Sequence, residues 1–115
     1  MTEHEAEAIS LGWKRSLKDR IWDTFDRCSR EGWDGGDAEP VSKEACNRAE
    51  RFIDMLPSNV IPPEVVPEAD GKIALDWQIN ANCIFSIGFD EKRVNFAGYF
   101  GEERRVRGNV NYKHS

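Results

Sequence analysis

The sequence predicts an α+β fold, with two N-terminal helices packed on one face of a small antiparallel meander of three to four strands. Three observations carry this. Apolar residues recur with a helical period as far as Leu56. Pro62, Pro63 and Pro67 then exclude a helix, because proline lacks the amide proton and clashes with the preceding turn. From Lys72 onward the apolar period becomes two, that of a strand with one covered face. With 115 residues, the chain is expected to form a single domain around one modest core, leaving 1–9 and 108–115 as mobile ends.

The first helix is expected from about Ser10 to Arg30. Trp13, Leu17, Ile21, Phe25 and Cys28 draw an apolar stripe along one side, Trp22 widens it, and charged residues fill the rest. Glu3, Glu5 and Glu7 precede the helix on the side of its positive end. The second helix is expected over 43–56. Ser42 is its N-cap, Glu44 suits its first turn, and Ala45, Ala49, Phe52, Ile53 and Leu56 share one face. Pro57 stops it. The stretch "NVIPPEVVPEADG" then reads as a rigid connector, within which Val65 and Val66 are compatible with a short edge strand.

Strands are expected over 72–78, 83–88 and 93–100. Ile73, Leu75 and Trp77, then Cys83, Phe85 and Ile87, then Val94, Phe96 and Phe100 point to the covered face. "DG" at 70–71, "NAN" at 80–82 and "DEK" at 90–92 supply the turns. A fourth strand is compatible with 104–110. Phe52, Leu56, Leu75, Phe85 and Phe96 are the expected large core residues.

Several function classes are disfavoured. His4 and His114 lie near the chain ends, so a histidine base held at catalytic distance is not expected. No phosphate-binding glycine loop, dinucleotide fingerprint, zinc-protease helix or calcium loop occurs. Glu102 and Glu103 are adjacent, and neighbouring strand residues point to opposite faces, so they do not converge as a hydrolytic pair. Cys28, Cys46 and Cys83 are odd in number and widely spaced, and read as small buried hydrophobes rather than as disulfides or zinc ligands. The expectation is therefore no enzyme activity, no catalytic residue, no cofactor and no metal. No apolar run approaches the roughly 20 residues needed to span a bilayer. The acidic "MTEHEAEAIS" lacks the basic and apolar regions of a signal peptide, so no membrane association and a cytoplasmic location are expected.

Charge is unevenly distributed. Residues 31–71 carry ten acids and three bases, whereas 72–115 carry five acids and seven bases. An acidic middle argues against phosphate-backbone binding as the main task and favours a protein partner with a basic surface. Two groups of candidate binding residues follow. The first is the corner "EGWDGGDAEPVS" with Trp33, Asp34, Asp37 and Glu39. It reads first as a structural turn, in which Gly35 or Gly36 takes positive φ, Asp34 bonds the backbone downstream of it, and Trp33 folds back as an anchor. The alternative leaves Trp33 exposed as an interface anchor flanked by acids. The second group is Tyr99, Arg104, Arg105 and Arg107, an aromatic and three bases suited to a nucleic-acid strand.

"GWDGGDAEPVSKEACNRAERFIDMLP" followed by "PPEVVPEADGKIALDW" resembles a widespread group of small uncharacterised bacterial and phage proteins. Their pattern is a Trp-Asp-Gly turn, Pro-x-Ser opening a helix, Leu-Pro closing it, then Pro-Pro-x-Val, Asp-Gly and Leu-x-Trp. The likeness covers about residues 31–100. Gly36 stands where alanine or an aromatic-containing variant is equally familiar. The resemblance implies a cytoplasmic α+β protein, often borne on mobile DNA, and carries over no catalytic residue. The expected function is a non-enzymatic protein-binding module, of the inhibitor, antitoxin or immunity type, acting through an acidic surface. A small nucleic-acid-binding or regulatory module using the basic C-terminal segment is the alternative. The oligomeric state is left open.

Overall fold

The computed structural model describes the backbone of residues 3–101 and 105–111, and side chains from Gly12 onward. Element order is α1 (Glu3–Arg27), α2 (Lys43–Met55), β1 (Glu64–Pro67), β2 (Ile73–Asn80), β3 (Cys83–Phe89), β4 (Arg93–Phe100) and β5 (Arg105–Asn111). The strands form one antiparallel sheet in sequence order. The architecture is α+β as expected, but the sheet has five strands rather than three to four. Val65 and Val66 do form an edge strand, paired with Leu75 and Ala74. Pro67 is tolerated because it closes a four-residue strand at the sheet's rim.

α1 starts at Glu3, earlier than the sequence predicts. Alanine and glutamate dominate its first turns, and both are strong helix formers. It ends at Arg27, where the Cys28 carbonyl accepts from Val41 N–H at 2.9 Å and turns the chain into the corner. The inward stripe is Leu17, Ile21, Thr24 and Cys28. Thr24, only 2% exposed, takes the place expected for Phe25. Phe25 is half-buried and meets Trp22 edge-on at 5.8 Å.

In α2 the Ser42 hydroxyl accepts from Ala45 N–H at 3.2 Å, which satisfies one amide of the first turn. Ala45, Cys46, Ala49 and Ile53 are buried against α1 and the sheet. Leu56 is extended at the C-cap, as a residue before proline must be. Polar clamps join the helices at their rims. Lys18 meets Asp54 at 2.8 Å, Trp22 Nε1 donates to Glu50 at 2.7 Å, and Lys14 Nζ reaches the Leu56 carbonyl.

On the sheet's helix face, Ile73, Leu75, Trp77, Ile87 and Phe89 are buried. α1 packs on β1, and α2 on β2 and β3; neither helix lies against β4 or β5. This corrects part of the expected core. Leu75 is fully buried, but Phe52, Leu56, Phe85 and Phe96 are only half-buried. Phe96 has no helix above it and covers Gly108 instead. The β2–β3 hairpin carries a register shift between Gln78 and Asn80, which leaves Ile79 exposed. Trp77 Nε1 donates to the Ile61 carbonyl at 2.7 Å and fastens the proline-rich connector to the sheet.

Gly108–Asn111, expected within a mobile end, pair with Phe96–Arg93. Met1, Thr2, Glu102, Glu103, Arg104 and residues 112–115 lie outside the described residues, and with them the expectations for Arg104, His114 and the glutamate pair.

Candidate functional site

Three turns distant in sequence meet at one end of the molecule. The corner 31–40 is closed from within. Gly32 N–H donates to the Ala38 carbonyl at 2.8 Å, and Asp34 Oδ1 accepts from Gly36 N–H at 2.8 Å and Ala38 N–H at 3.3 Å. Gly35, at φ 86°, takes the left-handed conformation that a side chain disfavours. Trp33 is half-buried against the core and donates from Nε1 to the Glu39 carbonyl at 2.8 Å. The corner is therefore a built turn, and Trp33 and Asp34 are engaged in holding it.

The β1–β2 turn is docked on this corner. Glu39 N–H donates to the Ala69 carbonyl at 2.8 Å and Ser42 N–H to that of Gly71 at 3.0 Å. Gly71 is buried with φ 88°, and a β-carbon there would sit 3.0 Å from the Pro40 carbonyl oxygen. The β3–β4 turn joins from the other side. Its Asp90 Oδ1 caps Lys92 and Arg93 N–H at 2.7 and 2.6 Å, and Ser42 Oγ lies 3.3 Å from Glu91 Oε1. A hollow of about 430 Å³ lies between the turns, bordered by Glu39, Asp70, Lys72, Glu91 and Arg93.

Past Lys72 and Asn95, which border both hollows, this end continues onto the open face of the sheet. There the cross-strand rows are Asp76–Ser86–Ala97–Arg107 and Ala74–Gly88–Asn95–Asn109. Ala74, Gly88 and Ala97 leave the middle low, and a second hollow of about 530 Å³ forms over it, walled by Glu68, Lys72, Asn95 and Arg107. Ser86 and Asp76 are bonded at 2.5 Å. Burial pushes the Glu68 carboxyl above its usual pKa, and neighbouring Asp70 and Asp76 add to this against the pull of Lys72. Burial also works against charged Asp70, but its 2.9 Å pairing with Lys72 outweighs that and holds its carboxyl low. The Asn95 Nδ2 group is buried without a partner among the described residues.

The two predicted groups of binding residues are not brought together. Asp34, Asp37 and Glu39 stand exposed at the acidic end, and Trp33 is half-buried against the core. Tyr99, Arg105 and Arg107 lie on the open face of β4 and β5, and Arg105 stacks over the Tyr99 ring at 5.3 Å. Tyr99 is six residues along β4 from Arg93, about 20 Å away. Sequence reading missed Glu68, Lys72, Asp76, Ser86 and Asn95. The alternation that marks the apolar face also puts Asp76, Ser86 and Asn95 on the other one, and that was the available signal.

Thiol chemistry has little support. The Cys46 pKa is pushed up to about 12 by burial, helped by Cys28 and Glu50, and burial also raises that of Cys28. Among the described residues no three of His, Cys, Asp and Glu converge as metal ligands, and no helix is long and apolar enough to cross a membrane. No family model, curated protein or solved structure matches this chain.

Proposed function

We propose that the chain is a non-enzymatic protein-binding module whose acidic end docks on the basic surface of a protein partner, in the manner of an inhibitor, antitoxin or immunity protein. The observation that carries this reading is the joining of the three turns. Residues 31–40, 68–72 and 90–93 hold eight acids and three bases, and Lys72 is already committed to Asp70. Backbone hydrogen bonds fix the first two turns to each other, and Ser42 links them to the third. A fixed acidic surface loses little conformational entropy on docking and steers a basic partner toward it. The sequence likeness to small phage and mobile-DNA proteins is in keeping with such a role in the cytoplasm.

The decisive variant neutralises Glu31, Asp37, Glu39 and Glu91 as Glu→Gln and Asp→Asn. Asp34 and Asp90 are left intact because they cap turns. Proteins captured from a host lysate on the wild-type chain should be basic and should elute with salt. The neutralised variant should keep its melting temperature and lose them. Equal capture by both forms would overturn the reading. The stacking of Arg105 on Tyr99 favours a second reading, in which the open face of β4 and β5 follows a nucleic-acid strand.

A further inference from the structure

The sheet has two edges, and the fold treats them differently. β1 is short, ends in Pro67 and has α1 packed on it. β5 is seven residues long, contains no proline and no bulge, and nothing among the described residues pairs with its outer side. Such an edge presents unpaired N–H and C=O groups to any strand of matching pattern. We propose that the strand it takes is β5 of a second copy of this chain, paired antiparallel about a two-fold axis at Gly108.

The sequence of β5, "RVRGNVN", fits that axis. Centred on Gly108, the pairing sets Val106 opposite Val110 of the second copy, Arg107 opposite Asn109, and Arg105 opposite Asn111. Every residue of the strand has a partner, each valine meets a valine, and each arginine meets a neutral amide that can accept from it. An axis at Arg107 would set arginine directly against arginine, which is unfavourable. An axis at Asn109 would set valine against glycine and leave Arg105 without a described partner. The axis is perpendicular to the sheet, so both helix pairs lie on the same side of a continuous ten-stranded sheet. The contact is isologous and closes on itself.

The side chains around the axis support this choice. Val106 and Val110 are 49% and 61% exposed on the helix side of the sheet, beyond the reach of either helix. Phe96 lies over Gly108, next to the axis. Pairing gathers four valines and two phenylalanines into one apolar cluster, each valine covered from the side by its counterpart. On the opposite face the arginines alternate with asparagines across the seam. The contact is confined to one strand and its neighbours, so the association is expected to be reversible and micromolar rather than obligate.

Sedimentation equilibrium from low-micromolar to sub-millimolar concentration should show the 13.2 kDa chain rising toward twice that mass. The paired substitutions Val106→Lys and Val110→Lys should keep the melting temperature and return the chain to a monomer. The register has its own test in a Cys83→Ser background. A mixture of Arg107→Cys chains with Asn109→Cys chains should form a disulfide-linked dimer at least tenfold faster than either variant alone. A chain monomeric throughout the range would overturn the proposal. So would a dimer that survives the lysine pair, or a cysteine mixture that links no faster than its components.

Discussion

Trp33 Nε1 donates to the carbonyl of Glu39 at 2.8 Å, and the Glu39 amide donates in turn to Ala69 at 2.8 Å, so one aromatic ring connects the corner between the helices to the first turn of the sheet. The ring also lies against the core. Trp33→Ala is expected to cost about 3 kcal/mol, at the low end for truncating a large aromatic because Trp33 is only half-buried. Trp33→Phe keeps most of the packing, loses the hydrogen bond, and should cost about 1 kcal/mol. Urea unfolding of the two variants separates packing from bonding. A Trp33→Ala chain as stable as wild type would make the corner an interface rather than a support.

Gly35 and Gly36 are neighbours with different backbones. Gly35 has positive φ, whereas Gly36 does not and has only Asp34 Oδ1 and Oδ2 near a β-carbon, at 3.6 and 4.0 Å. Gly35→Ala should therefore lower stability by about 1–2 kcal/mol, the cost of the left-handed conformation for an L-residue. Gly36→Ala should be neutral or slightly stabilising, because alanine restricts the unfolded chain. Equal effects in denaturant titrations would contradict this assignment of the turn.

The pKa of Glu68 is raised by burial and by Asp70 and Asp76, only partly offset by Lys72. The folded chain keeps this proton after the unfolded chain has released it. Stability contributed at this site therefore falls as pH rises from the unfolded value of 4.5 through the folded one, and the penalty persists above it. Glu68→Gln should raise the melting temperature at neutral pH, and the gain should vanish below pH 4.5. Thermal melts across that range check it. A gain that grows as pH falls would reverse the sign.

These effects lie unevenly within reach of the sequence. The stop at Pro57, the Ser42 cap and the alternation of Ile73, Leu75 and Trp77 are local, and each appears in the fold where the residues point to it. The corner was legible for the same reason, because Asp34, Gly35 and Trp33 bond within a few residues of themselves. Phe25 stands on the expected stripe, but a helix turned by a fraction of its apolar arc exchanges Phe25 for Thr24 without altering the period. The half-burial of Phe96 follows from how far the helices reach across the sheet, which no pattern within β4 records. The open-face group of Glu68, Lys72, Asn95 and Arg107 comes from two strands and the β1–β2 turn, and depends on pairings the individual segments do not specify.

Phe96 and Gly108 are expected to be energetically coupled. A β-carbon at Gly108 would fall 2.8 Å from Phe96 Cε1 and closer still to Cζ, so the ring has to move. Gly108→Ala should cost about 1–3 kcal/mol, the range for overpacking. In a Phe96→Ala background the same change should cost little or stabilise the strand. A double-mutant cycle by urea unfolding reads the coupling, which should exceed about 1 kcal/mol for residues in contact. Additive effects would place the ring elsewhere.

The basic strip separates the two readings of function. Arg105 and Arg107 are exposed on β5; Arg105 stacks on Tyr99, and neither has an ion-pair partner among the described residues. Replacing both with Ala should change folding stability by no more than about 0.5 kcal/mol, as is usual for exposed positions. If the acidic end carries the function, capture of the protein partner should be unchanged. If instead β4 and β5 follow a single nucleic-acid strand, the double variant should lose affinity. The slope of log K against log salt should then fall by about 0.7 for each phosphate contact removed. Fluorescence anisotropy with a labelled oligonucleotide at several salt concentrations measures this directly. A wild-type chain with salt-sensitive binding that the double variant loses, together with a partner capture that also fails, would move the function from the acidic end to the open face of the sheet.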